Sequence, residues 1–116
     1  MVAVTSGDRL FTGRRPYMIK IDCEGHDLQV LRGFQTTLQQ ARPVVQFEYC
    51  EFWIASGSRL KEACAFLDDA GYRTYRLFPD ALKRFTYSSM FETFMFQNIV
   101  AIPNEFPSIA GDIVPL

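Results

Sequence analysis

The alternation of short apolar runs with helical patterns constrains the fold of this chain more than any other feature. Residues 17–21 form a short, mostly apolar run, which predicts a buried strand. Apolar side chains then recur at Leu28, Leu31, Phe34 and Leu38, the spacing of one face of a helix. The spacing therefore predicts one helix over residues 26–39, directly after the strand.

The same pattern repeats further along the chain. Pro43 ends the first helix, because proline disfavours helical geometry in the residue before it. Residues 44–48 predict a second strand, and the segment from Ser58 to Gly71 predicts a second helix that ends at a glycine. Residues 72–78 alternate and predict a third strand, while the nearly continuous apolar stretch 94–102 predicts a fourth.

Strand, helix, strand, helix, strand is the order of an α/β fold. The first two crossovers are expected to be parallel and right-handed. Residues 79–93 hold no helix-length pattern and predict a long connection, so the last two strands are expected to form an antiparallel pair. The 116 residues suit a single domain, and residues 104–116 predict an irregular tail.

Composition excludes several classes of function. The net charge is -1 with no long basic run, so nothing favours nucleic acid or an anionic membrane surface as a partner. No stretch approaches the ~18 apolar residues of a membrane span. Cys23, Cys50 and Cys64 lack C-x-x-C spacing, so we expect neither a disulfide framework nor a zinc site. With no secretory segment after Met1, a cytoplasmic location is expected.

Two of the predicted strands end in acidic residues. Asp22 and Glu24 follow the first strand, and Glu48 ends the second. Ligands of open α/β sheets bind outside the carboxyl ends of the strands, so these carboxylates are expected on one rim. His26, the single histidine, alternates with Asp22 and Glu24, and in an extended backbone all three point the same way. The acids could orient His26 as a general base.

The same residues also have structural and metal-binding interpretations. Asp22 or Glu24 can accept backbone hydrogen bonds or cap the helix that follows, and His26 can lie on the surface of its first turn. An alternating acid, acid, histidine set can bind a metal, which would suit a metal-dependent hydrolase. No second histidine completes such a site, so no metal ligand is assigned.

The segment 19–33 resembles the signature of the FkbM methyltransferases. It reads IKIDCEGHDLQVLRG, where the family has lysine, isoleucine, aspartate, valine, glutamate, glycine and then a helix ending near leucine, arginine, glycine. Cys23 takes the usual valine position. The resemblance extends from about Val4 to Pro103 and is best over 17–103. Weaker matches are Arg42-Pro43, Phe47-Glu48-Tyr49, Gly71-Tyr72-Arg73 and the segment from Asn98 to Pro103.

The resemblance implies a Rossmann-like class I methyltransferase fold of seven strands. The chain, as a single partial domain over 1–116, would supply the last four strands and so the C-terminal half. It also implies O-methyl transfer from S-adenosylmethionine to a hydroxyl of a sugar or natural product. Asp22 would lie at the edge of the cofactor pocket, with Glu24 or His26 taking the acceptor proton. Glu48 and Tyr49 would bind the acceptor.

The chain departs from the family pattern in the cofactor-binding segments. The family holds its cofactor with a glycine-rich turn after one strand and an acidic residue after the next. Gly7 and Gly13 do not form such a turn, and no strand–loop–helix unit precedes Asp22. We therefore expect the chain alone to bind S-adenosylmethionine weakly or not at all.

The same departure has a consequence for assembly. Without a preceding strand, the strand at 19–22 is expected to be an open edge, which favours self-association or a partner chain. Residues 2–4 folding back as a substitute strand is the alternative. A non-catalytic α/β binding or assembly module derived from the same fold is the alternative function.

Overall fold

A computed structural model describes residues 3–107 and 113–115 of the chain. The strands of this part are β1 (Met18–Ile21), β2 (Val44–Tyr49), β3 (Tyr72–Phe78), β4 (Ala81–Arg84), β5 (Gln97–Pro103) and β6 (Ile113–Pro115). The helices are α1 (Gly7–Leu10), α2 (Asp27–Arg32), α3 (Gln35–Gln40), α4 (Phe52–Ser56) and α5 (Leu60–Asp69), with one 3-10 turn at Ser89–Phe91. None of the helices in this part of the chain is long and apolar enough to cross a membrane.

The strands form one mixed sheet in the order β1-β2-β5-β3-β4-β6. β1 and β2 are parallel neighbours, with Ile21 opposite Phe47. β5 is antiparallel to both β2 and β3, so β2 and β3 run in the same direction with β5 between them. The α/β class, the parallel first crossover and the antiparallel pair of β3 with β5 are therefore confirmed.

The helices bury their predicted apolar stripes against one face of the sheet. All four predicted residues of the first stripe are buried, and in α5 the buried residues are Leu60, Ala63, Cys64 and Leu67. Each fully buried leucine stabilises the fold by about 1.5–3 kcal/mol relative to an exposed one. These side chains pack with Val45, Phe47 and Ile99 from the sheet in one core. A smaller cluster of Tyr75, Val100 and Ile102 lies on the other face.

The single helix predicted over residues 26–39 is two helices, α2 and α3, because a contact with a distant residue caps the start of α3. The Asp8 carboxylate accepts hydrogen bonds from the backbone N–H of Thr36 at 2.9 Å and of Thr37 at 2.8 Å. Asp8 therefore caps α3 from α1, and the helix breaks at Gly33 and Phe34. Helical spacing within residues 26–39 carries no sign of a cap supplied from another element.

Three further expectations differ from the structure. The connection 79–93 contains β4 and a 3-10 turn rather than loop alone. The fourth strand begins at Gln97 rather than Phe94, because Phe94 has a φ of 56°, which is incompatible with a strand. The tail is not irregular at Ile113–Pro115, which pair with β4 as β6. Residues 108–112 of that tail lie outside the described part.

Candidate functional site

The carboxyl ends of β1 and β2 bring the predicted acids to one rim. The register of Ile21 with Phe47 places Asp22 and Glu48 at equivalent positions on neighbouring parallel strands. Burial raises the pKa of Glu48, and the nearby carboxylates of Asp22, Asp27 and Glu24 raise it further. The prediction that Asp22, Glu24 and Glu48 share one rim is confirmed.

The chain reverses direction directly after Asp22. The backbone N–H of His26 donates to the carbonyl of Cys23 at 3.2 Å, and the two residues between them have φ values of 47° and 102°. Positive φ at both central positions is the pattern of a type I′ turn. The prediction that Asp22, Glu24 and His26 alternate on an extended backbone is therefore wrong. All three side chains are nevertheless exposed at the rim.

Gly25 allows this turn to lie against α4. A Cβ atom at Gly25 would stand 2.5 Å from the carbonyl oxygen of Phe52, closer than real Cβ contacts allow. The Ser56 hydroxyl also donates to the Gly25 carbonyl at 2.6 Å. Glu24, the other central residue, has left-handed backbone, which costs a non-glycine residue about 1 kcal/mol. Such strain is concentrated at functional sites in proteins, which supports a role for this turn.

Asp27 holds the two strand ends together. Its side chain is only 1% exposed. Oδ1 accepts from the backbone N–H of Cys23 at 3.3 Å, and Oδ2 accepts from that of Glu48 at 3.1 Å. Burial raises the pKa of Asp27 although these backbone N–H groups act to lower it. One buried carboxylate thus fixes the acidic turn relative to the end of β2.

The sequence interpretation missed Asp27, although a signal for it was present. Asp27 precedes Leu31 by four residues and Phe34 by seven, so it lies on the apolar stripe of the helix. An acid on a buried face needs hydrogen-bond donors, and at a helix start beside two strand ends the free donors are backbone N–H groups. The spacing could have marked Asp27 as a structural acid.

Tyr49 lies in the core rather than on the exposed part of the rim. Its hydroxyl donates to Oε2 of Glu92 at 2.6 Å and accepts from the N–H of Phe94 at 2.8 Å. Burial and the bond to Glu92 raise the pKa of Tyr49. These contacts hold the β4–β5 connection against β2. The predicted role of Tyr49 in binding an acceptor stays a prediction.

Glu92 links the β4–β5 connection to α5. Its carboxylate accepts from the backbone N–H of Leu60 at 2.9 Å and of Lys61 at 3.1 Å, at the start of that helix. The Tyr87 hydroxyl donates to Glu92 at 3.1 Å. Burial acts to raise the pKa of Glu92, but the hydrogen bonds from Tyr49, the two N–H groups and Tyr87 outweigh it and the pKa is lowered. Glu92 is therefore an ionised cap supplied by a distant loop.

The rim acids do not form a metal centre in the structure. In residues 3–107 and 113–115, no group of three or more His, Cys, Asp or Glu side chains is arranged to hold a metal ion. Asp22, Glu24 and His26 also form no side-chain hydrogen bond or ion pair with another described residue. Their polar groups face solvent at the rim, where a ligand could contact them.

Comparisons with known proteins agree with the resemblance. Residues 2–74 match the Methyltransferase FkbM domain, and this match contains β1, β2, the acidic turn and Asp27. Neither the curated proteins nor the solved structures include a significant match to the chain. The matched segment is more than half of the 116 residues. The chain therefore belongs to the FkbM methyltransferase family.

Proposed function

We propose that the chain serves O-methyl transfer from S-adenosylmethionine to a hydroxyl of a sugar or natural product, as the C-terminal, acceptor-side half of the FkbM domain. One observation carries the proposal. The acids Asp22, Glu24 and Glu48 meet at the carboxyl ends of parallel β1 and β2, where α/β sheets bind ligands. The succession of same-direction strands with an antiparallel β5 between β2 and β3 supports a partial Rossmann-like sheet.

The residues of this chain would act on the acceptor. A hydroxyl loses its proton when it gains a methyl group, so a base must lie within hydrogen-bond reach. Glu24 and His26, exposed on the turn, are the candidates for that base, and Asp22 would orient the hydroxyl. Glu48, whose pKa is raised by burial and by its acidic neighbours, would accept a hydrogen bond from the acceptor.

The described residues do not form a complete binding site for the cofactor. S-adenosylmethionine would supply the methyl group, and the family holds it against the backbone of a glycine-rich turn. Gly25 is the glycine of the acidic turn, but the space beside it is filled by the backbone of Phe52. No strand precedes β1 among the residues that the structure describes. We therefore expect weak or absent binding of S-adenosylmethionine by this chain alone.

Calorimetry of the purified chain with S-adenosylmethionine tests the cofactor part of the proposal. We expect no binding, or binding much weaker than the low micromolar range. A dissociation constant near 1 μM, about -8 kcal/mol, would contradict it. An unfolded sample would also fail to bind, so a folded state must first be shown by the cooperative unfolding of the same sample.

Amide chemical shifts test the acceptor part. Methyl glycosides of common sugars, added at millimolar concentration, should shift the amide signals of residues 22–26 and of Glu48. Asp22→Asn and Glu48→Gln should reduce these shifts. Asp69→Asn is the matched control, because Asp69 is an exposed acid at the far end of α5. Shifts that fall elsewhere, or that are equal in all variants, would contradict an acceptor site at the rim.

A second function, a non-catalytic binding or assembly module, is favoured by the edge of the sheet. β1 pairs with β2 on one side and with no other strand in the described part of the chain. Tyr17 is 94% exposed and Met18 is 54% exposed beside this edge. Open backbone groups beside apolar side chains favour pairing with another strand, from a second copy or a partner chain. The amide-shift experiment distinguishes the two functions, because only an acceptor site predicts that sugars shift the signals of the rim residues.

A further inference from the structure

A cavity of about 370 Å³ lies at the end of β3 opposite to the acidic rim. The cavity is bordered by α5, by the start of β3 and by residues 84–87. β2 and β3 run in the same direction, so the start of β3 and the end of β2 lie at opposite edges of the sheet. The proposed methyl-transfer site does not use this cavity.

The cavity lies where β3 extends beyond its pairing with the shorter strand β4. The pairing runs from Tyr75 opposite Arg84 to Phe78 opposite Ala81. One further bond joins the Phe85 N–H to the Thr74 carbonyl at 3.2 Å, and β3 continues back to Tyr72 without β4. The space left beside the first residues of β3 is covered by one side of α5.

The lining carries hydrogen-bond donors that the protein does not use. Lys61, Arg84, Thr86 and Asn104 line the cavity and are exposed. Within the ranges 3–107 and 113–115, none of these four side chains takes part in a hydrogen bond or an ion pair. The cavity therefore presents two cationic groups, a hydroxyl and an amide that are available to a ligand.

A third cation of the lining forms no direct ion pair with a carboxylate in residues 3–107. Arg73 also lines the cavity and is only 8% exposed. Its guanidinium donates to the carbonyl of Pro103 at 2.7 Å and to the hydroxyl of Tyr75 at 2.8 Å, and these partners are neutral. Arg73 forms no direct ion pair, although its charge helps to lower the pKa of Glu105, so it adds part of a positive charge to the lining. Asp68 is the single acid of the lining.

We propose that this cavity binds a small phosphate-bearing molecule. Lys61 and Arg84 offer two exposed cations against one acid of the lining, Asp68, and the other nearby acids, Glu92 and Glu105, already have partners in the fold. The phosphate oxygens would accept from Lys61 and Arg84, with Thr86 and Asn104 as neutral donors. The volume falls within the range of small-molecule sites, and Phe85 offers an apolar wall for the rest of the ligand.

Titration with inorganic phosphate and pyrophosphate at constant ionic strength tests this proposal. The expected dissociation constant for pyrophosphate is about 1 mM or lower. Lys61→Gln and Arg84→Gln should each weaken binding at least about fivefold, the effect of removing one charge at contact distance in water. Asp68→Asn should strengthen binding, because it removes the one repulsive charge of the lining.

Lys83→Gln is the matched control. Lys83 is exposed, next to Arg84 on β4, and does not line the cavity, so its loss changes the net charge equally. All four variants alter exposed side chains, and unchanged thermal unfolding would show that they fold. No binding of pyrophosphate by the folded chain would overturn the proposal. Equal weakening by Lys83→Gln, or binding of acetate as tight as phosphate, would also overturn it, since either shows general charge attraction.

Discussion

Replacing Gly25 by alanine tests how the acidic turn is positioned. The added methyl group would meet the Phe52 carbonyl oxygen at 2.5 Å and the Phe52 carbonyl carbon at 2.8 Å. Both atoms belong to the backbone of α4, so they cannot move away as a flexible side chain would. The positive φ of 102° adds strain for any residue with a Cβ.

The two effects can be separated with Gly57, which ends α4. Gly57 has a φ of 71°, and a Cβ there would meet nothing within 4 Å. Gly57→Ala should therefore show backbone strain alone, about 1 kcal/mol. Gly25→Ala adds the displacement of α4, which for an overpacked site costs about 2 kcal/mol more. Both changes remove one glycine, so the effect on the unfolded chain cancels in the comparison.

Urea and thermal denaturation of the two variants provide the measurement. For a domain of this size, each kcal/mol of lost stability lowers the thermal midpoint by about 4 °C. Gly25→Ala should therefore melt roughly 12 °C below the wild type, and Gly57→Ala roughly 4 °C below. Amide shifts of Cys23 and Glu48 should move only in Gly25→Ala. Equal losses of stability in the two variants would refute the argument that the turn is held by its contact with α4.

The other predictions concern the buried acid Asp27, the half-buried acid Glu92 and strand β1. Asp27→Ala removes the acceptor of two backbone N–H groups and should destabilise by about 3 kcal/mol in urea denaturation; a loss under about 1 kcal/mol would contradict its role. Glu92→Gln should destabilise by about 1–2 kcal/mol at neutral pH. The lowered pKa of Glu92 means that its contribution is present at neutral pH and is lost as pH falls through the folded pKa, so wild type and variant should converge in acid. If the free energies of unfolding of wild type and Glu92→Gln differed by the same amount at all pH values, ionisation of Glu92 would not be stabilising. For β1, light scattering should show association at high concentration, whereas a monomer with strongly protected Ile19 and Ile21 amides would show an edge already paired.

Four of the described strands could be predicted from the sequence, because β1, β2 and β5 are mostly apolar and β3 alternates apolar with polar side chains. The segment 44–48 and the alternating segment 72–78 have few other ways to bury their side chains. β4 was missed because Ala81–Arg84 are four residues, half of them charged, and their pairing depends on β3. Short edge strands of this kind have no period of their own to detect.

The sequence predicted the position of the acidic rim correctly but not the backbone conformation of the turn at residues 22–26. Strand ends and acidic residues are local properties, and parallel pairing follows from the helix between the strands. The backbone of the turn depends on α4, because Gly25 must accept contact with Phe52, which lies 27 positions away in the sequence. The sequence interpretation treated residues 22–26 as extended and so missed the reversal.

The residues that carry the family resemblance divide into two groups by their contacts. Arg42 donates to the carbonyls of Ala70 at 2.6 Å and Gly71 at 2.9 Å, and its bidentate ion pair with Glu105 holds the pKa of Glu105 at about 2. Asp27 joins two strand ends in the same structural manner.

Side chains of the second group make no such bonds. Asp22, Glu24 and His26 are exposed and form no side-chain hydrogen bond in the part of the chain that the structure describes. A residue whose polar groups already have partners can be replaced only at a cost in stability, and its presence needs no further explanation. The strained backbone at Glu24 costs stability and, within the described fold, gains no bond for the Glu24 side chain. This imbalance makes the acidic turn, rather than Arg42 or Asp27, the part of the motif where chemistry on a ligand is to be sought.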